Sequence, residues 1–550
     1  MMAWQDSGKH HSKTLVEIEI FIRTQIQDTA AVTFDTVLLR GASFESPRYN
    51  DVNVHDLSLD SRKIAEKDVF IALQGEQQHG LNFLESVLKK RPGLVISDRA
   101  LTSSELALCA ENASGASKTP VWVVSNIKDF LGEFAAWFYD QPSRKLKVVG
   151  ITGTNGKTSS AFFTAQLLQN LGQKVALMGT LGNGPIDDLQ KSANTTPDSV
   201  SVHRLLHEFA CKGMQWVVME VSSHALCLGR IQGVEFQTVA LTQVTRDHMD
   251  FHGTLEAYSE AKAKLFTEYP SKNQVLNLAD SLGLEICKKA VAKPKSQEIW
   301  CYQADTNQKY LASESLANLK VQSMRLNAQG IVFTAEIANQ STHTMLATEQ
   351  VNLALMGVFN LENVFCALSI LLVNGVDWSQ LKMHLAKIES VSGRMQVLAN
   401  SPTIILDFAH TPDALEQVLK AVKAHLADGQ GRLKVVFGCG GNRDQGKRPL
   451  MGAIAEQYAD SVMLTSDNPR DEEPQSIIDD IVKGLSQPEA IQIELDRKQA
   501  IATVLQQSVQ HDIVVIAGKG HEDYQEVKGV RTPFSDASVV EQWLTLAKNR

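Results

Sequence analysis

Residues Lys145–Gly179 read KLKVVGITGTNGKTSSAFFTAQLLQNLGQKVALMG. An apolar run, KVVGI, gives way to a glycine-rich turn, then to a stretch of helical length, then to a second apolar run. That order predicts strand, loop, helix, strand, the repeating unit of a doubly wound α/β sheet. Glycines at 150, 153 and 156 let backbone N–H groups turn inward onto phosphate oxygens at the helix N-terminus. Lys157 would neutralise the outer phosphates, and the Thr158 hydroxyl would take a Mg²⁺ ion. The spacing departs from the common G-x-x-x-x-G-K-[ST] pattern, because position 151 is Ile. A glycine turn with a chance GKT is the bland alternative, and the strand before and helix after disfavour it.

Working outward, WVVMEV (216–221) and TVALTQV (238–244) are further strand-like runs that deliver polar residues at their ends. Residues 301–350 suggest alternating short strands. From GRMQVL (393–398) onward a third pattern begins, with strand-loop segments at 403–426, 432–459, 462–485 and 512–525. Three of the four lead clearly into a helix, which predicts a second, smaller Rossmann-like domain whose loops share one edge. The expected boundaries are 1–125, 126–391 and 392–550. A chain of 550 residues is too long for one core, which agrees with several domains.

Composition narrows the class. With 43% hydrophobic and 21% charged residues the chain reads as an ordinary soluble globular protein. A net charge of -9 argues against a general nucleic-acid binder and leaves anionic small substrates open, since local basic residues can outweigh the global field. Seven cysteines without a CxxC pair suggest reduced thiols in a cytoplasmic protein. No signal peptide and no apolar window long enough for a membrane span are read, so a cytoplasmic protein without membrane insertion is expected; a monomer is expected as well.

Several polar groups sit where chemistry is done. Glu220 ends the strand WVVME, where an acid beside a phosphate loop serves Mg²⁺ or is simply a surface acid. His248, Asp250 and His252 alternate in a loop in a way that mimics a zinc site, but no further ligands support one. Lys262 and Lys264 follow on a helix and by default are solvated. Asp467-Asn468-Pro469-Arg470 lies at the carboxyl end of the run VML. It combines a carboxylate for an ammonium, an amide and a guanidinium fork for a carboxylate, a set suited to a small zwitterion. An ordinary Asp/Asn/Pro turn is the competing reading.

TGTNGKTS, NTTP (194–197), MEVSSHAL (219–226), TRDHMDFHGT, YSEAKAKLF, GVFNLEN (357–363), SGRM (392–395), LDFAHTPDALE and AGKGHEDYQ follow one another in this order. Together they resemble the Mur ligase family, ATP-dependent amino-acid ligases that build the peptidoglycan stem peptide. LDSRKIAEKDVFIALQGEQQHG near the N-terminus is similar to a UDP-sugar-binding domain of that family. The resemblance runs from about residue 55 to the end and implies three α/β domains: UDP-sugar-binding, central ATPase and C-terminal Rossmann-like.

The resemblance also implies roles. Gly153, Thr154, Asn155, Gly156, Lys157, Thr158 and Ser159 would hold the ATP phosphates, and Asn363, Arg394 and Asp407 would lie near the base, phosphates and ribose. Glu220 and His248 match Mg²⁺ ligands for what would be two ions. Lys262 matches a lysine that CO₂ converts to a carbamate, a further metal ligand. Leu59, Ser61, Glu76, Gln77 and Gln78 match the uridine diphosphate site. Asn194, Thr195, Thr196, Ser222 and Arg230 match the sugar-peptide site, where Leu228 replaces a polar residue of some relatives.

The tetrad Asp467, Asn468, Pro469 and Arg470, completed by Arg443, Gly518 and Glu522, matches the pocket of members that add meso-diaminopimelate to UDP-MurNAc-L-Ala-D-Glu. Lysine lacks that amino acid's second carboxylate, and leaving a buried Arg unpaired would penalise it roughly 10³-fold. A lysine-adding ligase, a folylpolyglutamate-type ligase and an ATP-hydrolysing switch are the alternatives.

Overall fold

The computed structural model describes residues 11–25, 52–75, 77–112, 119–192, 194–291, 298–304, 316–327, 329–339, 344–426 and 431–548. They fall into two compact units. The first comprises residues up to Thr152, Gln173–Val239 and Arg246–Gln274; the second comprises Gly153–Gly172, Ala240–Thr245 and everything from Val275. This two-unit division breaks at neither 125 nor 391 and instead runs through the expected central segment 126–391. The glycine loop and the helix Lys157–Asn170 group with later residues, because that helix packs on Val358–Val373. Val358–Val373 is buried on nearly every side, mostly through apolar residues, with Asn360, Asn363 and Ser369 as buried polar exceptions.

The first unit carries a four-stranded parallel sheet in sequential order: Leu57–Ser58, Val69–Ala72, Leu94–Ser97 and Val121–Val123. Successive side chains leave opposite faces. Val69 and Ile71 join a core with Trp122, Phe134 and Phe138, while Phe70 and Ala72 join Leu84 and Val87. Burial on both faces explains why these strands read as continuous apolar runs. A second group of strands sets Trp216–Glu220 between Lys147–Thr152 and Val175–Gly179, all parallel, with Gly182–Pro185 antiparallel beyond.

In the second unit, Leu319–Asn327, Gly330–Asn339 and Thr344–Leu353 form an antiparallel meander beside Glu298–Gln303. These strands span nine, ten and ten residues, longer than the short strands expected from sequence. Their outer faces carry Gln, Glu, Ser and Thr, which masks the period-2 apolar pattern. A six-stranded sheet runs Gln396–Asn400, Thr403–Asp407, Ile513–Ala517, Leu433–Phe437, Ser461–Leu464, Gln492–Ile493, and all but the first strand are parallel. Its central strands alternate between two cores: Ile405, Val435 and Val515 on one side, Ile404, Val436 and Val514 on the other. Asp407, Gly438, Thr465 and Gly518 therefore emerge along one carboxyl edge, where such sheets bind ligands.

Candidate functional site

The glycine loop is shaped by two close approaches. Gly153 has φ +152°, and a Cβ there would stand 1.9 Å from Thr242 Oγ1; Gly156 has φ +85°, and its Cβ would stand 2.3 Å from Asn363 Oδ1. Neither position admits a side chain. Hydrogen bonds tie the loop to the segment after strand Phe236–Leu241. Thr154 N donates to Gln243 O at 2.6 Å, Thr154 Oγ1 to Thr245 O at 3.0 Å, and Thr242 Oγ1 to Asn155 O at 2.6 Å. Lys157 folds back and donates to Gly153 O at 2.8 Å and Thr154 O at 2.9 Å, placing its charge over the loop.

Asn155, Gly156 and Ser159 line a cavity of about 320 Å³ together with Asn363, Arg394 and Asp407. Six residues assigned to one ligand from separate motifs are thus brought together within the second unit. Phe359, Asn360, Phe408 and His410 also line it, and sequence reasoning named none of them. Asp407 accepts from Met395 N at 2.8 Å and Ala409 N at 2.7 Å. Burial pushes its carboxyl above the usual range, while those donors and the Arg394 guanidinium oppose the shift. Thr158 is buried in the first turn of the helix, and Ser160 Oγ donates to Asn363 Oδ1 at 3.4 Å.

In the first unit, Glu220 is buried at its strand end and accepts from Thr180 N at 2.8 Å and Thr180 Oγ1 at 3.3 Å. Thr196 Oγ1 donates to Glu220 O at 2.8 Å and accepts from Ser222 N at 3.1 Å. Arg230 donates to Thr196 O at 3.0 Å, and the Thr180 and Thr195 hydroxyls are 3.1 Å apart. Thr195, Thr196, Ser222 and Arg230 therefore share one network with Glu220. His248 begins the short helix Met249–His252 in a left-handed conformation, with its ring edge-on to His224 at 4.8 Å. Lys262 is buried, its Nζ 4.5 Å above the Tyr258 ring, whereas Lys264 is half-buried. Among the described residues no three His, Cys, Asp or Glu side chains come together as a metal site. The expected Mg²⁺ ligands include only two side chains of those types.

A separate cavity of about 1140 Å³ in the first unit is lined by Leu59, Ser61, Gln78 and Asn194, with Arg62, Lys63, Lys90 and Arg204 supplying positive charge. Lys90 donates to Ser61 O at 3.0 Å and Arg62 O at 2.8 Å, which fixes the turn that carries Ser61. Gln77 is exposed and stands outside this lining. Glu76 lies outside the described residues.

The C-terminal tetrad is a stapled structure. Arg470 sits at φ +51°, its N donates to Glu526 O at 3.0 Å, and its Nη1 donates to Gly441 O at 2.8 Å. Asn442 and Asp471 exchange two more bonds, Asn442 Nδ2 to Asp471 Oδ2 at 2.9 Å and Asp471 N to Asn442 Oδ1 at 3.3 Å. Beneath them the fully buried Arg448 donates to Glu472 Oε2 at 2.8 Å and Asp480 Oδ2 at 2.9 Å. The 440–443 loop is thereby clamped to the 468–472 loop. Arg443 stands exposed; both its Cγ and Arg470 Nη1 lie within 4 Å of where a Gly440 Cβ would fall.

Asp467 is buried, and its Oδ2 comes within 2.6 Å of where a Gly518 Cβ would be, so only glycine fits there. Burial raises the Asp467 carboxyl pKa, and the nearby Arg497 and Lys519 charges counter the shift. Arg497 is itself held by Asp536 through two bonds of 2.7 Å, with both side chains fully buried. Asn468 Nδ2 donates to Glu522 Oε2 at 2.8 Å. Asp467, Asn468, Arg470, Gly518 and Glu522 thus gather at one sheet edge. Lys519, Arg448 and Arg497 behind them were invisible to sequence reading, because a lone basic residue is solvated by default.

A phosphate loop joined to a Rossmann-like domain with charged side chains along its carboxyl edge is the build of a nucleotide-driven ligase, and domain models bear this out. The Mur ligase middle domain matches residues 151–371, and the Mur ligase glutamate ligase domain matches residues 393–520. The chain belongs to the Mur ligase family, ATP-dependent enzymes that form amide bonds. Within that family it is 41% identical to the UDP-N-acetylmuramoyl-L-alanyl-D-glutamate–2,6-diaminopimelate ligase of Chromobacterium violaceum, over 88% of this chain and 93% of that one. It is 39% identical to the ligase of the same name from Coxiella burnetii, over 88% and 94%. A solved structure of a ligase of that name superposes with a TM-score of 0.69 at 34% identity, covering 93% of this chain and 98% of the other. No helix among the described residues is long and apolar enough to cross a membrane.

Proposed function

We propose that this protein is the ligase that adds meso-2,6-diaminopimelate to the D-glutamate γ-carboxyl of UDP-MurNAc-L-Ala-D-Glu, in the cytoplasm, during peptidoglycan precursor synthesis. The observation that carries this reading is the stapled tetrad. A guanidinium, an amide and two carboxylates (Arg470, Asn468, Asp467 and Glu522) gather at one sheet edge, matching a substrate end that bears both an ammonium and a carboxylate.

The γ-carboxylate oxygen of the D-glutamyl residue attacks the ATP γ-phosphorus, and ADP leaves. Lys157 and the inward N–H groups of Gly153–Ser159 offset the charge on the transferring phosphoryl group, since such transfer depends on positioning and electrostatics. The amine of the incoming amino acid then attacks the acyl-phosphate carbon. Loss of a proton and departure of inorganic phosphate leave the amide. The oxygen-rich donor set fits Mg²⁺. Thr158, in the first turn of the helix after the glycine loop, would hold one ion within the second unit; Glu220, His248 and Lys262 (as a CO₂-derived carbamate) would hold another within the first. When bound, Mg²⁺ supplies charge neutralisation to the phosphate oxygens. Leu59, Ser61 and Gln78, with the basic residues of their cavity, hold the uridine diphosphate.

Phosphate release from ATP with the UDP-linked dipeptide, comparing meso-diaminopimelate, L-lysine and no amino acid, tests this reading. Release should require meso-diaminopimelate. Equal release with lysine would indicate the lysine-adding activity, and release with neither would indicate a hydrolytic switch.

A further inference from the structure

Lys519 follows Gly518 at the end of strand Ile513–Ala517, and its side chain is wholly buried. A buried ammonium must find acceptors for its N–H donors. Lys519 Nζ donates to Asn468 Oδ1 at 3.0 Å and to Tyr524 O at 2.8 Å, and lies 3.5 Å from Glu522 Oε2. Asn468 Oδ1 accepts a second bond, from Glu526 N at 2.9 Å, while Asn468 Nδ2 donates to Glu522 Oε2 at 2.8 Å. The two ends of an amide are nearly the same size, so neighbours alone decide which way it points. Here a cation and an N–H group hold the oxygen end, and a carboxylate holds the nitrogen end. The other Nδ2 hydrogen and the other Glu522 oxygen remain for a ligand.

We propose that Lys519 is a positioning residue for the incoming amino acid, fixing the Asn468 amide and the Glu522 carboxylate in the orientation that receives the substrate's polar groups. This rests on the reading of the pocket as one for meso-diaminopimelate. Burial draws the Lys519 ammonium below the usual lysine range, and the carboxylates of Asp467, Glu522 and Asp536 counter that effect while Arg497 adds to it. A charge kept buried against its own solvation, touching two pocket side chains and one loop carbonyl, is placed for orientation. A solvated surface role would leave it outside.

The test uses full-length protein in the phosphate-release assay, with the wild type first shown to use meso-diaminopimelate; failure at that step sinks the functional reading and leaves Lys519 out of account. Lys519→Met removes the charge at similar length. Its KM for meso-diaminopimelate should rise about 30-fold, the loss of roughly one charge-assisted bond, with the KM values for ATP and the UDP-linked dipeptide within twofold of wild type. Lys519→Arg keeps the charge but cannot reproduce a lysine's geometry, so its KM should fall between the two. An unchanged KM for meso-diaminopimelate in folded Lys519→Met, or a parallel rise for all three substrates, overturns the proposal. Should Lys519→Met fail to fold, a wild-type KM in Lys519→Arg overturns it too, because charge balance alone would then suffice.

Discussion

Replacing Arg470 with Met removes the guanidinium while keeping an unbranched side chain that tolerates φ +51°. One of the five N–H donors of Arg470 is committed to Gly441 O, which leaves four, two of which can meet a carboxylate side-on. Two charge-assisted bonds are worth about 3–6 kcal/mol before desolvation. The side chain is only half-buried, so water tempers both the gain and its cost, and we expect a net effect of about 3 kcal/mol. At about 1.4 kcal/mol per tenfold, kcat/KM for meso-diaminopimelate should fall roughly 100-fold. L-Lysine has no second carboxylate to lose, and the variant lifts the penalty of an unpaired guanidinium, so its slow rate should hold or rise. Phosphate release with each amino acid over a concentration series gives both numbers. A selectivity ratio that stays within threefold of wild type in the folded variant refutes the carboxylate assignment.

Further outcomes follow from other parts of the molecule. Gly156→Ala forces a Cβ to 2.3 Å from Asn363 Oδ1 in a left-handed conformation that costs about 1–2 kcal/mol; KM for ATP should rise at least about tenfold, with calorimetric affinity for the UDP-linked dipeptide unchanged. Lys157→Ala should abolish turnover, lowering phosphate release by roughly 10³-fold or more, and substantial ligation by that variant counts against the phosphate role. His203 is fully buried, and only one ring nitrogen has a hydrogen bond, from Nε2 to Gln232 O at 2.8 Å. Burial lowers its pKa from 6.5 to about 4, so the unfolded chain binds the proton more readily between those values. Stability should therefore decline as pH falls from 6.5 towards 4, by about 3 kcal/mol from this group alone. Urea unfolding of wild type against His203→Gln should show a flatter pH slope in the variant.

Where function depends on local backbone, the sequence was readable. The glycine loop needs only its flanking strand and helix to be recognised, and Gly153 and Gly156 occupy positions where a Cβ would collide. Asn363, Arg394 and Asp407 were reached through resemblance, since nothing local tells that three distant motifs will line one cavity. Thr242 marks the limit. TVALTQV reads as a strand delivering polar residues, yet its role as the wall against Gly153 is a tertiary fact. The meander at 319–353 is longer-stranded than its sequence suggests because its polar outer face breaks the apolar rhythm. Arg448, Arg497 and Lys519 contradict the ordinary expectation for basic side chains, and only their partners in the fold reveal why they are buried.

The clamp made by Arg448, Glu472 and the Asn442–Asp471 pair governs how such an enzyme is retooled for another diamine. Swapping the four tetrad residues alone would leave two loops mismatched at their seam and a buried cation facing altered neighbours. A successful exchange must transplant both loops and their foundation together, which makes the choice of building block a property of the paired loops and not of four side chains.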